Sequence, residues 1–121
     1  MISKNILVAL TVFVGSLAAT AAQAHAKIEA AEPKADSELT AAPKQINLHF
    51  NEKLEPAFSK IALLDARNTA ITLPKVVIDK QDPKSMSAQL PMLKSGQYLV
   101  HWSTMTHDGH KAKGEYRFKV K

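Results

Sequence analysis

The chain contains no cysteine. No disulfide can staple the fold, and no thiolate is present to act as nucleophile or metal ligand. Aromatic residues are scarce, with one tryptophan, two tyrosines and four phenylalanines in 121 residues. Basic residues outnumber acidic ones, giving a formal net charge of +5. The lysines are scattered rather than clustered and no aromatic side chains interleave with them, so the footprint of a nucleic-acid binder is missing. Repeats, low-complexity tracts and linkers are also absent. Outside the first two dozen residues no long window carries helical periodicity. The one long uncharged apolar run, Ile6 to Ala22, is short for a bilayer-spanning helix and ends in small residues.

That run has another reading. Met1-Ile2-Ser3-Lys4-Asn5 is a short positive start, the apolar stretch follows, and Ala22-Gln23-Ala24 supplies the small-x-small pattern that signal peptidase accepts. Residues 1–24 are therefore expected to be a secretory signal peptide rather than a membrane anchor. Residues 25–121 form the mature domain, which begins at His25 and carries one positive charge fewer. With no cysteine, a domain of this size is held by its core alone, which is feasible with a modest margin.

The mature region reads as short strands separated by turn residues. Ala26 to Ala30 is a candidate edge strand, and Glu32 to Ser37 is a loop by composition. Gln45-Ile46-Asn47-Leu48-His49-Phe50 alternates polar and apolar residues, the period of a half-buried strand, with Ile46, Leu48 and Phe50 inward and His49 outward. Ser59 to Leu64, Lys75 to Asp79, Gln97 to Ser103 and Gly114 to Val120 are further strands, and Ser85 to Leu90 leads out of an Asp82-Pro83-Lys84 turn. This spacing predicts an all-β sandwich or Greek-key barrel with Trp102 in its core.

The polar residues able to do chemistry are few. A histidine at a free N-terminus offers both its α-amine and its ring Nδ1 to one ion, closing a chelate in which the second donor is already tethered. Nitrogen donors in a tetragonal arrangement suit Cu(II), the head of the divalent affinity series. The α-amine titrates near neutrality, so a metal displaces its proton at modest cost. Asp108 and His110, in "THDGH", are two residues apart. In an extended segment their side chains would share a face. Glu52 follows the alternating strand in phase with Phe50, which aims it inward at a rim, as a direct or hydrogen-bonding participant. His49 and His101 alternate outward and read as surface residues, and His107 reads first as a loop histidine and second as an accessory ligand. Met86, Met92 and Met105 are dispersed, so no soft thioether site for Cu(I) is expected.

At this point the residues resemble the CopC/PcoC family of small periplasmic copper-binding proteins. The resemblance runs through "HAKIEAAEPKADSEL", "APKQINLHFNEKLEPAFSKIAL", "DPKSMSAQLPMLKSGQYLVHWS" and "DGHKAKGEYRFKVK". It implies a Greek-key β-barrel of cupredoxin-like or immunoglobulin-like shape, a periplasmic location, and one Cu(II) bound at one end. The family's N-terminal histidine matches His25, its Asp-x-His pair matches Asp108 and His110, and its assisting glutamate matches Glu52, an arrangement known as a histidine brace. A CopD-like inner-membrane protein is the implied recipient, and a monomer is expected. Two departures stand out. The stretch "LLDARNTAITLPK" lacks the methionines and histidine with which some members bind Cu(I), and Lys111 stands where the family often has proline.

Two other functions compete. A histidine brace is also the metal centre of lytic polysaccharide monooxygenases, but those domains are usually larger and present a flat aromatic face, for which one tryptophan and two tyrosines are too few. A metal-free immunoglobulin-like interaction domain would explain the strands equally well, while leaving His25, Asp108 and His110 as coincidence.

Overall fold

The computed structural model describes residues 26–121. The expected signal peptide, residues 1–24, and His25 lie outside the described residues. The described residues form nine strands: β1 (Ile28–Glu32), β2 (Ser37–Leu39), β3 (Gln45–Phe50), β4 (Lys60–Leu64), β5 (Ala70–Ile71), β6 (Val77–Ile78), β7 (Ser85–Gln89), β8 (Gly96–Met105) and β9 (Lys111–Val120). A 3-10 turn at Pro56–Phe58 is the only helical element among the described residues.

The strands make two sheets. One has the order β1-β3-β7-β6, and the other β2-β9-β8-β4-β5. All pairs are antiparallel except β2 with β9, which run parallel. The chain crosses repeatedly between the sheets.

Alternation drives the closure. Ile46, Leu48 and Phe50 of β3 are fully buried, as are Leu63 of β4 and Val100 of β8. Each such side chain contributes about 1.5–3 kcal/mol on leaving water. Trp102 is half-buried and meets Phe50 edge to face, with ring centroids 5.0 Å apart. Its indole lies over Gly114, its cross-strand partner, where an added Cβ would come within 2.6 Å of the ring. Gly114 is thus glycine because the indole occupies the space a side chain would need.

The strand expectations hold at their centres and shift at their ends. The edge strand expected at Ala26 to Ala30 begins at Ile28 and runs on to Glu32. The strand expected over Lys75 to Asp79 shrinks to Val77–Ile78, because only those residues pair with β7. The closing strand begins at Lys111 rather than Gly114, because β8 and β9 remain paired from Gly96↔Val120 to Met105↔Lys111. That long hairpin leaves only Thr106 to His110 as its loop.

Candidate metal centre

The hairpin loop is a tight turn rather than an extended segment. The Gly109 N–H donates to the Thr106 carbonyl at 2.9 Å, and the Thr106 N–H donates to the His110 carbonyl at 2.8 Å. Gly109 has φ +92°, a left-handed conformation that glycine adopts without the penalty a Cβ brings. Asp108 and His110 do converge, with Asp108 Oδ1 3.1 Å from His110 Nδ1. The turn is what brings them together, and the alternation of an extended strand plays no part.

Thr106 organises this loop, and its role was not visible in the sequence. It is buried at 1% exposure. Its hydroxyl accepts the His110 N–H at 3.1 Å and donates to the Asp108 carboxylate. That hydrogen bond, followed by the one from His110, holds the Asp108 carboxyl down at about 2. Asp108 is therefore a fixed anion beside an imidazole. The 3.1 Å separation is that of a hydrogen bond between the two side chains, and it sets a carboxylate and an imidazole side by side at the turn.

A second loop, Asn51 to Glu55, is stitched against this hairpin. Leu54 bridges Thr106. The Glu55 N–H donates to the Met105 carbonyl at 2.8 Å, and the His107 N–H donates to the Lys53 carbonyl at 2.9 Å. Glu52 is half-buried in the bend after β3.

The far side of the same loop holds the start of the described chain. The Lys27 N–H donates to Asn51 Oδ1 at 2.8 Å, and the Asn51 N–H donates to the Lys27 carbonyl at 3.1 Å. Ala26 is buried at 4% exposure. His25 is outside the described residues, but its neighbours in the chain are fixed beside the loop that carries Glu52. Among the described residues no cluster of three or more histidine, cysteine, aspartate or glutamate side chains gathers around one point. Asp108 and His110 are brought together, and Glu52 lies on the adjoining loop.

The other histidines have separate partners. His107 places Nδ1 2.8 Å from Glu55 Oε1 and is largely exposed. His101 faces Glu115 on the outer face of the second sheet, 3.5 Å away. His49 is on the outward face of β3, as expected, but it is not merely solvated. Its Nδ1 lies 2.7 Å from Ser85 Oγ and 3.2 Å from Asp82 Oδ2, while Ser85 Oγ donates to Asp82 Oδ2 at 2.9 Å. The Ser85 hydroxyl has one hydrogen and gives it to Asp82, so it accepts from His49 Nδ1–H. The Ser85 hydrogen bond is the main reason the Asp82 carboxyl titrates below its ordinary value. Met86 is in the core, and Met92 is exposed at 89%.

Residues 28–121 match the family described as CopC domain. Protein YobA of Escherichia coli K12 is 35% identical over 120 residues, covering 98% of this chain and 97% of YobA. Copper resistance protein C of Xanthomonas campestris pv. juglandis is 32% identical over 124 residues, covering 98% of this chain and 97% of the relative. The crystal structure of CopC from Methylosinus trichosporium OB3b superposes with a TM-score of 0.76 at 30% identity, covering 80% of this chain and 94% of that one. A two-sheet β sandwich with this extent of shared sequence makes the chain a member of the CopC family.

Proposed function

We propose that this protein is an exported, periplasmic copper carrier that binds one Cu(II) per chain at the end of the sandwich where β8 turns into β9. A relative named copper resistance protein C supports a role in copper handling. The donor set proposed here is the α-amine and Nδ1 of His25, an imidazole nitrogen of His110 and the carboxylate of Asp108. Glu52 acts at the rim, as a weak ligand or a hydrogen-bond acceptor. Signal-peptide cleavage after Ala24 creates the α-amine, so only exported protein has the complete site. Copper is cargo here, taken up for sequestration or handed to an inner-membrane partner of the CopD type. No catalytic step is assigned to the chain.

The observation that carries this reading is the double hydrogen bond between Lys27 and Asn51. His25 is two residues before Lys27, and two residues of extended chain reach about 7 Å. A terminal histidine on so short a tether would lie beside the Asn51–Glu55 loop, whose other neighbour is the Asp108–His110 hairpin. The chemistry agrees. Three nitrogens and one carboxylate suit a tetragonal Cu(II) ion better than a soft monovalent one. The anionic Asp108, already deprotonated, adds charge without competing protons.

The direct test is Cu(II) titration of the exported protein and its His110→Ala variant against a competing chelator. Loss of a ligating nitrogen should weaken binding by more than about 100-fold, beyond the roughly 10–100-fold typical of supporting residues. Unchanged affinity in the variant would remove His110 from the site.

A further inference from the structure

The outer face of the five-stranded sheet carries a groove of about 620 Å³ beside the proposed copper end. Ala57, Phe58 and Met105 contribute its apolar surface, and Lys60, Lys111 and Lys113 stand around it. Phe58 is 55% exposed, a large aromatic side chain left in water at the 3-10 turn. The three lysines have no carboxylate within salt-bridge distance among the described residues, whereas Lys119 and Lys121, at the far end of β9 and just past it, pair with Glu38.

The register explains why the cations converge. Ser103 of β8 pairs with Lys60 of β4 on one side and with Lys113 of β9 on the other. Neighbouring strands are about 4.8 Å apart, so those two lysine backbones are about 10 Å apart on one face. Lys111 is two residues from Lys113 and projects to the same face, about 7 Å along the strand. Three unpaired ammonium groups of one sign therefore surround an exposed apolar surface. Each raises the electrostatic cost of the others, and an anionic partner would relieve it.

We propose that this groove docks an acidic, apolar-bearing segment of a protein partner, with carboxylates meeting Lys60, Lys111 and Lys113 and a large side chain packing on Phe58 and Met105. The concavity favours a peptide over a lipid surface, because a flat bilayer leaves a groove unfilled. A small polar ligand is disfavoured too. Ser103 supplies a hydroxyl there, but the Thr104 hydroxyl is already committed to Ser59 at 2.7 Å, so few convergent polar groups are left to orient one. Lys111 directly follows His110, so a segment held in the groove lies against the hairpin turn. Its use in passing copper rests on the proposed function, whereas the docking surface does not.

The test is NMR titration of the 15N-labelled exported protein with a short synthetic peptide of glutamate and leucine carrying one tryptophan. Its lysine counterpart and phosphatidylglycerol vesicles serve as comparisons. Metal-free and Cu(II)-loaded protein are both titrated, so a failure of the copper reading is visible separately. The expected result is salt-sensitive shifts at Phe58, Ser103, Met105 and Ala112 with the acidic peptide only. The double variant Lys60→Glu/Lys113→Glu should weaken that binding at least about tenfold, with Cu(II) affinity unchanged. The control Lys75→Glu, outside the groove, should leave it intact. Shifts elsewhere, no shifts, equal losses in both variants, or binding to vesicles without the peptide would each overturn the proposal.

Discussion

The Lys27 N–H donates to Asn51 Oδ1 at 2.8 Å, and the Lys27 carbonyl accepts the Asn51 N–H at 3.1 Å. One asparagine thus holds both backbone polar groups of a residue at the start of the described chain. The loop that Asn51 opens is bonded in turn to Met105 and His107. The start of the described chain and the β8–β9 hairpin are joined through this loop, with Glu52 on the loop and Asp108 and His110 on the hairpin turn.

Asn51→Ala should weaken Cu(II) binding without unfolding the domain. It deletes the side-chain acceptor and releases the chain next to His25. A net hydrogen bond is worth about 1 kcal/mol, so the affinity should fall roughly five- to tenfold. A chelator-competition titration reads this, and circular dichroism checks that the sandwich persists.

Thr106→Val should change the titration of Asp108. The folded-state carboxyl is held at about 2, below its ordinary 3.8. A group with a depressed folded value contributes stability that is present above its unfolded value and is lost as pH falls through the folded one. In the metal-free protein that contribution therefore disappears between about pH 4 and pH 2. The valine variant removes the main cause, so a carboxyl 13C titration should show the midpoint moving up toward the ordinary value. In the unaltered protein Asp108 stays ionised at pH 5, so any copper release between pH 7 and pH 5 reports on the nitrogen donors.

Gly114→Ala should destabilise the fold while leaving the proposed copper end alone. The added Cβ would meet the Trp102 indole at 2.6 Å. Displacing a ring that already packs on Phe50 costs about 1–3 kcal/mol, the usual range for overpacking. Denaturant unfolding followed by tryptophan fluorescence measures the loss. Cu(II) affinity of the folded variant should match that of the unaltered protein.

Much of the sandwich was legible because burial imposes a period of two. Ile46, Leu48 and Phe50 announced β3, and Tyr98, Val100 and Trp102 announced β8. The strands that escaped are those with little sequence of their own. Ser37–Leu39 and Ala70–Ile71 exist because a long neighbour pairs with them, β9 in one case and β4 in the other. The convergence of Asp108 and His110 was foreseen on the wrong geometry, since a turn with Gly109 at positive φ replaced the extended segment. Thr106 and Asn51 were not singled out, because a threonine and an asparagine carry no motif. Their importance comes from burial and from partners distant in sequence, which a single chain does not display. His49 was expected to face outward, but its link to Ser85 and Asp82 depends on strands that only the fold makes adjacent.

The measurement that bears most directly on the central claim compares two N-termini. Exported protein with a mass-verified terminus at His25 is titrated with Cu(II) and followed by EPR, beside a version carrying one extra residue before His25. One tightly bound Cu(II) with several nitrogen ligands is expected in the first, and much weaker binding with an altered spectrum in the second. Identical affinity and spectra in both would mean that the α-amine is not a ligand, contradicting a site completed by cleavage of the signal peptide.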